Sequence, residues 1–373
     1  MTWLLVTATV VLAGSGGTST DKLFQAVKKG DVAAVQVLLD RGADPNASIN
    51  GWRPLMSLGG SDEQALAVAK LLVASGAKVN VVQQDRGWTP LTWAAAKGEH
   101  GTALVSYFLE KGADVGASLD TGETALHLAA RANAPESVRE LLRFRANLRT
   151  RTHEDHRPDA DPKAVGMASV TKRYQSLGKG LVSQYEPGYR EAGKTPLFAA
   201  ARSGSVEIAN MLFHSGADLR ARDLNDWTVV HEAAQAGKAD VLQFFIQKGA
   251  SPNAASKAGF RPLHVAMRGP SGLPAIECIQ VLLKSGASPN MRNETGQTPL
   301  DLLTSDYRRA LSSRSAENPN LSPAYKAGVA QAEHLLKVAM KRPTAKPAPA
   351  KVSPKAPKKP AKKARAPRKH IGP

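Results

Sequence analysis

Along most of the chain, apolar residues return with helical spacing in pairs of short runs. The first run of each pair is rich in alanine, as in Leu126-His-Leu-Ala-Ala130 and Leu197-Phe-Ala-Ala-Ala201. The second is rich in leucine and valine, as in Val37-Leu38-Leu39 and Val281-Leu282-Leu283. Small alanines let two helices approach closely. The second run stops at a glycine, at Gly42, Gly76, Gly112, Gly216, Gly249 and Gly286, which can take the left-handed conformation that ends a helix. The first run opens on a turn followed by Thr-Pro-Leu or a variant of it. Threonine can cap a helix start, and proline suits the first turn because its missing N–H would be unpaired there anyway.

The pairs recur with a fixed step. Openings occur at Gly51, Gly87, Gly122, Gly193, Asp226, Gly259 and Gly296, so the steps are 36, 35, 71, 33, 33 and 37 residues. Gly51-Trp-Arg-Pro-Leu55 is a shorter match than the others, and one step is a double period. One such pair cannot bury its apolar faces alone, so neighbours must stack into a solenoid, whose long surface suits contact rather than chemistry.

A repeat of about 33 residues with a Thr-Pro-Leu-His-x-Ala opening is the ankyrin signature, and the chain resembles that family from roughly Asp21 to Met340. The resemblance implies an all-α solenoid of about eight helix-turn-helix units joined by β-hairpin fingers. It also implies a monomeric, non-catalytic scaffold that binds a protein partner. Asp21–Asp40 lacks the Thr-Pro opening and is expected as the N-terminal capping unit. The eighth unit, from Gly296, is expected to turn polar and irregular over Arg308–Ser322 before a last helix around Ala324–Met340.

Two features interrupt the array, expected over residues 20–340. The fourth unit has Arg145 in the glycine slot, and the chain then runs about 38 residues beyond one period before Gly193. This insertion, residues 150–192, is expected to replace the finger between units four and five. It carries Tyr174, Tyr185 and Tyr189 among basic residues, a mixture enriched at interfaces, and a binding role is weighed against a bland insertion.

Charge changes the picture at one end only. Of a formal net charge of +18, twelve units lie in residues 341–373, a Lys/Pro/Ala-rich segment without acids or aromatics that is expected to be disordered. Its composition resembles linker-histone tails, so polyanion binding, to nucleic acid or an anionic envelope surface, is the alternative function. Residues 1–19 include an apolar run, Trp3–Ala13, with the length of a signal-peptide core. A periplasmic or secreted location is expected, with a cytoplasmic one as the alternative because no basic residue precedes the run. The insertion between ordinary units also resembles the layout of exported bacterial ankyrin proteins.

Candidate chemistry is sparse. Cys278 is the only cysteine and lies in an apolar helix, so no intramolecular disulfide can form and a buried inert thiol is expected. Gly188-Tyr-Arg-Glu-Ala-Gly193-Lys194-Thr195 matches a phosphate-binding loop, yet its last three residues also open an ankyrin unit, and no acid-ended apolar strand accompanies it. His153-Glu-Asp-His156, with Asp159 and Asp161, is read as a solvated loop rather than a metal site. His127, His231 and His264 share one motif slot and are expected to support turn hydrogen bonding. No catalytic set, cofactor or metal is implied.

The most informative surface position lies two residues before the proline slot. It reads Trp52, Trp88, Glu123, Lys194, Trp227, Phe260 and Gln297, aromatic in four of seven copies. The family resemblance places it where the finger meets the concave face, so these aromatics are expected to line a binding groove.

Overall fold

The computed structural model describes residues 18–153, 192–312 and 322–341. The first unit pairs α1 (Ser19–Lys29) with α2 (Val32–Asp40). Thr18 caps α1 through a reciprocal bond pair with Asp21, so the first helix starts two residues upstream of Asp21. In the second unit the short Thr-less opening makes only a 3-10 turn, Pro54–Met56, before α3 (Asp62–Ala74). Units three and four pair α4 (Pro90–Ala96) with α5 (Thr102–Glu110), and α6 (Ala125–Arg131) with α7 (Pro135–Arg143). Units five and six pair α8 (Pro196–Ser203) with α9 (Val206–His214), and α10 (Val229–Gln235) with α11 (Ala239–Gln247). The last two pair α12 (Pro262–Ala266) with α13 (Ile276–Lys284), and α14 (Pro299–Ser312) with α15 (Pro323–Met340).

The helices form two layers. First helices pack on first helices from α4 through α6, α8, α10, α12 and α14, and second helices pack on second helices from α2 through α15. Buried alanines such as Ala129, Ala130, Ala200 and Ala201 allow the close first-helix contacts, while Phe108, Phe245 and many leucines fill the space between the layers. The α6–α8 contact joins the units on either side of the insertion, so the stack is continuous through it.

Three expectations are corrected. The fingers contain no strand among the described residues, only isolated bridges such as Ser118 with Thr124. Each is a tight turn closed by two backbone bonds, too short to build a ladder of its own. Leu119 N–H donates to Glu123 O and Gly122 N–H to Leu119 O, and the same pair recurs as Asp223 to Trp227 O and Asp226 to Asp223 O.

The insertion does not replace its finger. Thr152 N–H donates to Lys194 O at 2.9 Å and Gly193 N–H to Thr152 O at 2.6 Å, the same two bonds as in every neighbouring turn. Only the two-residue tip is interrupted, because loop-closure cost grows slowly with length once the ends are pinned. The eighth unit's first helix runs on to Ser312, past the expected break at Arg308. Thr298 and Asp301 cap it reciprocally, and no proline or glycine follows until Pro319.

Residues 154–191, with Tyr174, Tyr185 and Tyr189, lie outside the described residues, as do most of the expected leader and all but Lys341 of the basic tail.

Arg145 adopts φ 60° where the other units have glycine at φ 80–98°. A left-handed non-glycine residue costs about 1–2 kcal/mol, partly offset by glycine's greater freedom when unfolded. Arg145 is exposed, so Arg145→Gly is expected to raise stability by about 1 kcal/mol, read as an upward shift of the urea midpoint.

Candidate functional site

The surface column that the sequence singles out is built by the same hydrogen bonds that join the units. The backbone carbonyl at each position accepts from the foot of its own finger: Trp88 O from Gln83 N–H, Trp227 O from Asp223 N–H, Phe260 O from Ser256 N–H. Where the preceding unit carries the motif histidine, the same carbonyl takes a second bond. His127 Nε2 reaches Lys194 O at 3.2 Å, His231 Nε2 reaches Phe260 O at 3.1 Å, and His264 Nε2 reaches Gln297 O at 3.0 Å.

The histidine tautomer follows from the other ring nitrogen. His127 Nδ1 accepts from Thr124 N–H, His231 Nδ1 from Thr228 N–H and His264 Nδ1 from Arg261 N–H, so Nε2 carries the proton and donates. Each histidine therefore closes its own helix cap and ties that helix to the next finger. Burial depresses these imidazoles, His127 and His231 to about 4, and His264 in the same direction. The expected role in turn hydrogen bonding is correct, and it extends across units.

A second ladder runs from finger to finger. Asp120 N–H donates to Arg86 O, His153 to Thr121 O, Leu224 to Ala192 O, Lys257 to Asn225 O and Glu294 to Ala258 O. One register thus holds five consecutive rungs, including the two that flank the insertion.

On this frame the four rings, Trp52, Trp88, Trp227 and Phe260, are all half-buried. Trp88 and Trp227 pack against the core. Trp227 stacks on His231 at 5.6 Å and Phe260 meets His264 edge-on at 5.8 Å, so both rings are oriented by the inter-unit histidines. In column order the rings fall two and two, Trp52 and Trp88 before a charged centre and Trp227 and Phe260 after it. Glu123 pairs there with Arg131, and Lys194 turns inward.

Lys194 settles the phosphate-loop pattern. Its side chain is 6% exposed, and its Nζ lies 2.9 Å from Glu232 Oε2. Arg202 Nε donates to Glu232 Oε1 at 2.6 Å. Burial opposes the Glu232 charge, but the Lys194 and Arg202 charges and hydrogen bonds outweigh it and hold the carboxyl below its ordinary range. Thr195 is the cap of α8, and Gly193 supplies a turn at φ 82°. Unit five has Phe198 in the histidine slot, so this ion triad supplies the junction to unit six that a histidine supplies elsewhere. Sequence reasoning missed it. The signal was a lysine in a mostly aromatic column, one unit before a glutamate in the Leu slot of Leu-Ala-Ala.

Asn46, Asn80 and Asn253 were missed as well. Asn80 donates Nδ2–H to Gly112 O and accepts Asp114 N–H, and the other two repeat this one unit along, at Gly76 with Lys78 and at Gly286 with Ser288. An asparagine four residues after the helix-ending glycine was the available signal.

Nothing gathers chemistry elsewhere among the described residues. No group of three His, Cys, Asp or Glu is placed to hold a metal, and His153 is exposed with its N–H on the finger ladder. Burial pushes the Cys278 thiol up to about 12, which leaves it inert at neutral pH. No described helix is long and apolar enough to cross a membrane.

Comparison with known proteins agrees with this architecture. Families described as ankyrin repeats match residues 60–152 (three copies) and 197–246 (many copies), and a single ankyrin repeat matches 23–50 and 258–294; together these span more than half of the chain. The ankyrin repeat and KH domain-containing protein mask-1 of Caenorhabditis elegans is 30% identical over 234 residues, 62% of this chain and 8% of that protein. Human neurogenic locus notch homolog protein 1 is 29% identical over 205 residues, 50% of this chain and 8% of its own length. The chain spans less than a tenth of the length of these relatives. Both are animal proteins and lend no support to the bacterial layout. The crystal structure of the human ASB11 ankyrin repeat domain superposes with a TM-score of 0.51 at 19% identity, covering 86% of this chain and 98% of that one, a likeness of fold alone.

Proposed function

Because the chain belongs to the ankyrin repeat family, whose members generally mediate protein–protein interaction, we propose that it binds a protein partner along the edge where the fingers meet the first-helix layer. The supporting observation is the column of Trp52, Trp88, Trp227 and Phe260, half-exposed rings on backbone positions fixed by the finger bonds. Rigid aromatic side chains lose little entropy when a partner covers them, and such residues carry most of the energy at protein interfaces. The rings fall two and two along the column, so the partner spans several units and does not fill one pocket.

Trp88→Ala, Trp227→Ala and Phe260→Ala, made singly, are expected to weaken a co-purifying protein partner by about tenfold or more each, the scale of an interface hot spot. Circular dichroism and the unfolding midpoint identify any variant that acts through stability. Deleting residues 341–373 is expected to leave the affinity unchanged. Wild-type affinity in all three ring variants, or binding lost with the deletion alone, would overturn the proposal.

A further inference from the structure

The finger-to-finger bonds fix the order of the turns along the edge, and charge is unevenly distributed along that order. Fingers of units two to four, residues 44–53, 78–88 and 114–123, hold three basic residues against five acids. Those of units five to eight, within 147–153, 218–227, 251–261 and 288–297, hold seven against four. One of those four acids, Asp223, is buried and accepts the N–H groups of Asn225 and Trp227.

Several of the bases are fixed in place. Arg151 donates to Gly193 O at 2.7 Å and to Arg222 O, and Arg222 donates to Asp226 O at 3.0 Å and Ala255 O at 2.8 Å. Each guanidinium is thereby held against the next finger. With five N–H donors per guanidinium, further donors remain for a ligand. Among the described residues no carboxylate lies within ion-pairing distance of Arg149, Arg151, Arg220, Arg222 or Lys257, all of them exposed. Apolar side chains stand among them. Leu224, at a turn tip, is 43% exposed, and Met291, two residues before the foot of its finger at Asn293, is 38% exposed.

We infer that the finger edge of units five to eight binds an extended acidic segment of the partner, with a carboxylate at about every third residue. The inference rests on the protein-binding reading and names the chemistry that this half of the edge selects. The spacing follows from geometry: packed helices lie 8–10 Å apart and an extended chain advances about 3.3 Å per residue, so roughly three residues pass each finger. Fixed guanidinium forks match carboxylates, and the intervening side chains meet Leu224 and Met291. A nucleic acid would satisfy the bases but leave those exposed apolar side chains against a phosphodiester backbone, so a polypeptide is favoured.

The test titrates the full chain with fluorescent peptides of about twelve residues, roughly three per finger. One has Glu at every third position with Leu and Ser between, and the other has the same composition with its Glu residues contiguous. The spaced peptide is expected to bind at least tenfold more tightly. Arg149→Glu/Arg220→Glu/Lys257→Glu is expected to weaken it by a further tenfold or more. Among the described residues those three side chains make no hydrogen bond or ion pair, so the variant is expected to keep the fold, with unchanged circular dichroism. Lys78→Glu, on the acidic half, should have no effect.

Equal binding of the two peptides, or an unaffected triple variant, would overturn the inference. So would an oligonucleotide that binds more tightly than the spaced peptide and is lost in the same variant. A natural partner that is lost in the ring variants but kept in the charge-reversal variant would remove this inference and leave the protein-binding proposal standing.

Discussion

Glu232→Ala is expected to lower the stability of the chain by about 3–5 kcal/mol, measured as the drop in denaturant midpoint multiplied by the slope. The carboxylate is 1% exposed and faces the Lys194 ammonium, itself 6% exposed. Removing it strands a buried cation against the α8–α10 contact. Arg202 is 38% exposed and can turn to water, so its share of the loss is small. Because the cost is that of an unpaired charge, Lys194→Met in the same background should recover most of it. A Glu232→Ala loss below about 1 kcal/mol, or no recovery in the double variant, would show that the triad is not what joins units five and six.

Acid should open the junctions that histidines hold, between units four and five and between units six and seven. His127 and His231 titrate near 4 in the folded chain against about 6.5 when unfolded, so the unfolded state binds more protons between those values. Stability contributed by the neutral rings is complete above pH 6.5 and falls as the pH drops towards 4. Each pKa unit is worth about 1.4 kcal/mol, so each ring can withdraw roughly 3 kcal/mol by pH 4. The physical event is simple: a protonated Nδ1 can no longer accept the N–H of Thr124 or Thr228. Unfolding midpoints measured from pH 7 to pH 4 should fall steeply, and His231→Gln should flatten the curve. A flat wild-type profile would show that these rings are not held neutral by the fold.

The sequence discloses what depends on period, and it loses what depends on pairs of residues far apart. Thr-Pro-Leu openings and helix-ending glycines recur every 33–37 residues, so eight units, their order and their capping helices were legible. The column of Trp52, Trp88, Trp227 and Phe260 was found because its members repeat in one slot. Lys194 and Glu232 do not repeat. Each breaks its own column, and only their contact across 38 residues explains both. The fate of the insertion was misjudged for a related reason. Its sequence shows an interruption of the period, whereas the bonds between Thr152, Gly193 and Lys194 that preserve the finger are backbone bonds, indifferent to side-chain identity. The strands expected in the fingers failed on length, since two bonds close each turn before a ladder can start. Arg145 shows the opposite: a departure visible in sequence that the backbone absorbs by adopting the glycine conformation anyway.

The central claim is that the units form one stack whose finger edge continues unbroken past residues 154–191. Among the side chains that cross that point, His127 reaches from the cap of α6 to Lys194 O at the opening of α8. Hydrogen exchange of His127→Ala under native conditions tests it most directly. The account predicts that amides of α8 lose protection together with those of α6. Loss confined to α6, with α8 exchanging as in the wild type, would mean that the two sides of the insertion fold separately and share no continuous binding edge.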